Sequence, residues 1–166
     1  MEEKIENNVI DIDESLHEPL IRWVTFKLGT EVYGVAVERV REILKINNIL
    51  PVPGAPDYVL GITNIRGNVV SVIDGRKRLS LETKEYTEKS RMIILESEND
   101  FVAVVVDEVA DIVDMLESTL TSNPNIKASE DSRYVTGVFT HDNDLIIALS
   151  AERLITKESF DMAAGY

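Results

Sequence analysis

Asp107, Glu108, Asp111 and Asp114 stand close enough in sequence to hold a hard cation through carboxylate oxygens, and Asp142-Asn143-Asp144 opens like a calcium-binding loop. Neither reading holds up against the rest of the sequence. The segment Tyr33–Leu44 aligns without gaps on Val102–Val113, and there the counterparts of Asp107, Glu108 and Asp111 are Glu38, Arg39 and Glu42. A ligand set should not tolerate arginine in its counterpart. The second acidic run lacks the glycine at the sixth position and the glutamate at the twelfth, which leaves turn chemistry. A histidine base would have to be His141, since His17 lies in an acidic stretch without apolar periodicity, and His141 reads as a solvent-exposed turn residue. There is no cysteine for a nucleophile or thiolate ligand, no Gly-x-x-x-x-Gly-Lys-Ser/Thr phosphate loop, and no carboxylate pair singled out for acid–base work. The cation that stands out is Arg66, in a tight Asn64-Ile65-Arg66-Gly67-Asn68 corner between two β-branched runs.

The elements that hold this corner are short strands. Ile21 to Leu28, Val32 to Val37, Val69 to Ile73, Met92 to Leu95, Phe101 to Val106, Tyr134 to Phe139 and Leu145 to Leu149 are β-rich runs separated by turn residues. Helical turns are expected only near Glu38, Pro56, Arg76 and Ala151. This pattern indicates an all-β chain of small barrels or a sandwich. At 166 residues the chain can bury roughly 70% of its unfolded surface and needs no staples. No apolar run approaches the length of a membrane span, and the start lacks the features of a signal peptide.

Charge argues against nucleic acid. Formal net charge is -13, which repels phosphates over most of the surface. Residues 1–19 hold seven acids and one lysine, and read as a disordered acidic arm. Residues 66–91 carry seven basic groups against four acids, a local positive stretch suited to an acidic protein partner. Only Tyr86 lies within it to stack on a base.

The repeat extends beyond one segment. Tyr58–Ile62 matches Tyr134–Val138, and Arg78-Leu79 matches Arg153-Leu154 at nearly the same offset, so two similar half-domains are expected, with a junction near residues 80–90. The corners differ: Asn64-Ile65-Arg66-Gly67 in the first half faces Thr140-His141-Asp142-Asn143 in the second. A hairpin is expected at each.

Val32–Ile43, Pro51–Asp74 with its Gly-x-x-Asn-x-Arg-Gly corner and terminal Asp, Val104–Val113 and Tyr134–Val138 together resemble the CheW family of bacterial chemotaxis coupling proteins. The resemblance runs from about residue 20 to 156, leaving residues 157–166 as a tail. It implies two intertwined five-stranded SH3-like barrels with pseudo-twofold symmetry. It also implies a non-enzymatic, cytoplasmic adaptor, without cofactor or metal, joining the cytoplasmic tips of transmembrane chemoreceptors to the regulatory domain of the histidine kinase CheA at receptor arrays. The departures are Ser71 where proline is usual, Gly75 where leucine is common, and Ala103 in place of a frequent glycine. A double barrel that binds a small ligand or performs chemistry in an interbarrel cleft is the alternative, as is the coupling protein of a related pilus or developmental pathway.

On these family grounds Val40, Ile43, Gly61 and Val109 are expected to form an apolar groove for the helical receptor tip, with Arg66 at its edge. Ile126, in the loop of residues 122–128, is expected to anchor the kinase. Asn64, Gly67 and Asp74 are structural positions. Arg66 must satisfy a fork of donors, and Glu42 is its expected partner.

Overall fold

The computed structural model describes residues 18–98, 100–122 and 133–155. The first half runs β1 (Leu20–Leu28), β2 (Glu31–Ala36), a 3-10 turn (Val37–Arg39), β3 (Val40–Lys45), β4 (Val59–Ile65), β5 (Asn68–Asp74) and the one-turn helix α1 (Gly75–Arg78). The second half repeats this order as β6 (Arg91–Ser97), β7 (Asp100–Val106), β8 (Glu108–Leu116), a 3-10 turn (Glu117–Thr119), β9 (Val135–His141), β10 (Asp144–Leu149) and α2 (Ala151–Leu154). Pro56 accepts a backbone hydrogen bond from Val59 in a simple turn, not a helical one.

The halves exchange strands. One five-stranded sheet has the order β8-β1-β2-β10-β9 and the other β3-β6-β7-β5-β4. Each therefore takes its leading hairpin from one half and three strands from the other. Four pairings make the exchange: β2 with β10 and β5 with β7 run parallel, and β1 with β8 and β3 with β6 run antiparallel; the neighbours within each half also pair antiparallel. Both sheets close into barrels through one bridging residue, Leu50 to Ile62 and Thr121 to Val138.

Three apolar clusters follow from side-chain alternation. Val70, Val72, Met92, Ile94, Ala103 and Val105 fill one barrel, and Trp23, Val113, Phe139, Ile146 and Ala148 fill the other. Val24, Phe26 and Leu28 point the opposite way from Trp23 and meet Ile93, Leu95, Val102, Val104 and Val106 between the barrels. The run Val102–Val106 is apolar at every position because both of its faces are buried. Each such side chain contributes about 1.5–3 kcal/mol by leaving water.

β3, β4 and β8 are absent from the strands expected from sequence, and each carries or faces a register shift: between Val40 and Glu42, between Val59 and Gly61, and opposite Val24 and Phe26. A β-bulge inserts one residue and interrupts the two-residue period; the β9–β10 pair carries such a shift as well, so bulging weakens the pattern in β3, β4 and β8 without by itself hiding a strand. In β8 the bulge is filled by buried Thr25, whose Oγ donates to the Asp111 carbonyl and accepts from the Asp111 N–H, both at 2.9 Å.

The halves superpose in hydrogen bonds as well as in order. Asp74 N–H donates to Tyr58 O and Ser150 N–H to Tyr134 O, each at 2.8 Å. Asp74 and Ser150 are the N-caps of α1 and α2, so Leu79 corresponds to Ile155 rather than to Leu154, one residue from the match read in the sequence. Glu18 and Pro19, placed in the arm by composition, are tied to the body: Ser118 N–H donates to the Glu18 carboxylate and Glu117 N–H to Pro19 O.

Candidate partner-binding surfaces

Both corners are two-residue hairpins. Arg66 and Gly67 have φ of 50° and 86°, and Asp142 and Asn143 have 49° and 68°, as a type I′ turn requires. The Asn64 side-chain oxygen accepts from Gly67 N–H at 2.9 Å and fixes the first corner. A long side chain in the left-handed region costs about 1 kcal/mol, so Arg66 sits here for its guanidinium rather than its backbone preference. That guanidinium reaches across to β3 and donates to the Glu42 carboxylate. The Arg66 side chain is 73% exposed and that of Glu42 is 17% exposed, so the pair is a rim contact.

Beneath it lies the mouth of the β3-β6-β7-β5-β4 barrel. Arg41, Glu42 and Arg66 surround a cleft of about 50 Å³ floored by Ile65, Ile94 and Phe101. Arg41 lies over the Phe101 ring, 5.1 Å from its centre, and pairs with Glu96 at 3.3 Å. Such a cleft is far below the roughly 300–1,000 Å³ of small-molecule sites. It can seat part of a partner side chain but not a substrate.

Val40, Ile43 and Val109 are half-buried and pack on the interbarrel core from the edge strands β3 and β8 of the two sheets. Val40 and Val109 are counterparts in the repeat. Ile112, the counterpart of Ile43, is 60% exposed. Gly61, expected in the groove, has a role inside the fold at the start of β4. Its φ is 148°, and a Cβ there would stand 2.1 Å from the Leu50 carbonyl oxygen. The close approach that glycine permits is therefore to the chain's own backbone, at the bridge that closes the barrel. Gly137 stands at the matching place, where a Cβ would lie 2.8 Å from Thr121 O.

A network at the junction of the halves was not read from the sequence. Asp74 caps α1 by accepting from Arg76 N–H at 2.9 Å, and its other oxygen accepts from the Tyr86 hydroxyl at 2.8 Å. The buried Arg76 guanidinium binds both oxygens of Asp107 and donates to Glu82 O, while Gly29 N–H donates to Asp107. Burial first, and then the hydrogen bond to Asp74, pushes the Tyr86 phenol above its ordinary value. Burial alone would raise the Asp107 carboxyl, but the hydrogen bonds from Arg76 and Gly29 outweigh it and hold it below the usual carboxylate range. The sequence signal was Asp74 directly before Gly-Arg-Lys-Arg, an N-cap followed by a basic turn.

Among the described residues no group of three or more His, Cys, Asp or Glu side chains could hold a metal ion, and no helix is long and apolar enough to cross a membrane. His141 lies against Asp142 at 3.3 Å on an open turn.

The CheW-like domain family model matches residues 22–159. The chain belongs to that family. It is 31% identical to chemotaxis protein CheW of Bacillus subtilis over 142 residues, covering 86% of this chain and 91% of that protein. Against chemotaxis protein CheW of Treponema pallidum it is 28% identical over 157 residues, 91% of each. The crystal structure of the scaffolding protein TtCheW from Thermoanaerobacter tengcongensis matches with a TM-score of 0.74 at 29% identity, covering 79% of this chain and 89% of that one.

Within this CheW-family chain the departure at Gly75 has a local cause: a Cβ there would lie 2.7 Å from Val105 O, so α1 packs too closely on β7 for a side chain. Ala103 is fully buried inside its barrel. Ile126, the expected kinase contact, lies outside the described residues.

Proposed function

We propose that this chain is a non-enzymatic adaptor that couples transmembrane chemoreceptors to the histidine kinase CheA. The observation that carries the reading is the family match across the whole double barrel. The surface agrees with it, because the Arg66 cleft and the half-buried rim of Val40, Ile43 and Val109 suit docking rather than turnover. In this reading the receptor's cytoplasmic helical tip lies along β3, where Val40 and Ile43 flank Glu42, and Arg66 anchors the end of that surface. The kinase regulatory domain takes a separate face in the second half, with Ile126 as its anchor. The adaptor then works in the cytoplasm, recruited to membrane-associated receptor arrays.

Co-sedimentation with receptor-containing membranes, with and without CheA, tests this. The wild-type chain should pellet with receptor and increase the CheA that pellets. Ile43→Asp and Arg66→Glu should lower receptor pelleting while CheA binding persists, and Ile126→Asp should do the reverse. Failure of the folded wild-type chain to form the ternary assembly would remove the adaptor reading.

A further inference from the structure

A second concavity lies away from the Arg66 cleft and shares no residue with it. It is a groove of about 430 Å³ between the β1–β2 turn, the Lys84–Ser90 segment and the β7–β8 junction. Lys27, Lys84 and Lys89 line it, and none of them forms a salt bridge among the described residues.

The internal repeat provides a control for this charge. The counterparts of Lys27, Gly29 and Arg76 are Glu96, Glu98 and Glu152, so the matching place on the other half is acidic. Glu98 even keeps the positive φ of Gly29, 53° against 64°, so the backbone is preserved while the charge is reversed. Even the ion pair at each place is reversed: Arg76 of α1 binds Asp107 after β7, whereas Glu152 of α2 binds Arg39 after β2. On a chain of net charge -13, three lysines gathered along one groove, where the repeat places acids opposite Lys27, Gly29 and Arg76, are not an average surface.

The lysines also stand on a fixed wall. Although Lys84–Ser90 forms no strand or helix, Tyr86 is bonded to Asp74, Arg76 holds Glu82 O, and Thr87 and Ser90 bond to each other at 2.9 Å. Of the groove's carboxylates, Asp107 is saturated by Arg76 and Gly29, leaving Glu85 and Glu108 between the cations. Those two would repel a compact polyanion. An extended chain, with same-face side chains about 7 Å apart, can set one carboxylate against each lysine and leave gaps at the acids.

We infer that this groove binds an extended, carboxylate-rich segment of a protein partner, gripped by Lys27, Lys84 and Lys89. The groove has the size of a ligand site of a few residues. Binding is electrostatic and weakens as salt rises.

The test uses the full chain and a fluorescein-labelled alternating Glu-Thr peptide, followed by anisotropy at low and physiological salt, with the Gln-Thr peptide as its neutral match. The Glu-Thr peptide should bind and the Gln-Thr peptide should not. The double variant Lys84→Glu/Lys89→Glu should lose about tenfold or more in affinity while circular dichroism shows it still folded, since neither side chain hydrogen-bonds into the buried network. Arg66→Ala should bind the peptide normally, which separates this surface from the receptor-facing one. Equal binding by the double variant, or by the Gln-Thr peptide, would overturn the assignment. So would displacement by inorganic phosphate at equal concentration, which would mark a simple anion site. Tighter binding after removal of residues 1–17 would show the chain's own acidic segment to be the occupant, and would equally overturn it.

Discussion

Replacing Gly61 with alanine separates a barrel-closing glycine from a receptor contact. The new Cβ would lie 2.1 Å from Leu50 O, 2.6 Å from Leu50 C and 3.0 Å from Pro51 Cα, and all three are backbone atoms that cannot rotate away. The Leu50 segment must move, which breaks the two hydrogen bonds closing the barrel, Leu50 N–H to Ile62 O at 2.8 Å and Ile62 N–H to Leu50 O at 2.9 Å. Each contributes about 1 kcal/mol net. The φ of 148° adds a strain of about 1–3 kcal/mol for a residue with a Cβ. The expected loss is about 3–5 kcal/mol, against a total stability of roughly 5–15 kcal/mol for a domain. At about 3–4 °C per kcal/mol for this size, the melting temperature should fall by about 10–20 °C. Thermal unfolding by circular dichroism measures this, and hydrogen exchange at Ile62 N–H should accelerate. Gly137→Ala, with a 2.8 Å approach and no positive φ, should lose less. If Gly61→Ala melts within 2–3 °C of wild type, a shift of about 1 kcal/mol or less, yet no longer pellets with receptor membranes, the closure argument is wrong and Gly61 is a surface contact.

Arg66→Ala and Glu42→Ala should each cost about 1 kcal/mol or less, because the Arg66 end of the pair is 73% exposed and solvent screens it, and a double-mutant cycle in urea that gave strict additivity would show the two side chains to be uncoupled. Arg76→Ala should cost about 3 kcal/mol, since it leaves the half-buried Asp107 without its cation, whereas Arg39→Ala, at the exposed equivalent pair with Glu152, should cost under about 1 kcal/mol; equal losses in chemical denaturation would contradict the difference in burial. Because the folded Asp107 carboxyl titrates below its ordinary value, its stabilisation is complete above the unfolded pKa of about 4 and is lost as pH falls through the lower folded value. Melts between about pH 5 and pH 2 should therefore decline less steeply in Asp107→Asn than in wild type. Removal of residues 1–17 should leave the melt and the ternary assembly nearly unchanged, since that segment is acidic and lacks apolar periodicity with which to dock; a large drop in either would show that the segment docks.

The sequence carried the chemistry of single positions and the existence of a repeat. Valine-rich runs, turn residues at the corners and the match of Tyr33–Leu44 to Val102–Val113 were enough for a duplicated β unit, because burial on both faces forces apolar residues at every step. The Arg66–Glu42 pair was also legible, since a guanidinium at a corner needs a carboxylate within reach and Glu42 was at hand. What the sequence could not decide was which strands are neighbours. Two copies of one pattern are interchangeable, so a hairpin such as β1–β2 satisfies the same alternation whether it pairs within its own half or with β8 and β10 of the other. Only the closed structure, with its parallel pairings and interbarrel core, selects the exchanged arrangement. The same holds for β3, β4 and β8, whose bulges exist only because a partner strand is there to be bulged against, and for Gly61, whose need for hydrogen in place of a side chain comes from Leu50, eleven residues away in sequence and in contact only after the barrel shuts. The lysine groove is the furthest from sequence, because its walls come from both halves and Arg76 finds Asp107 across that seam.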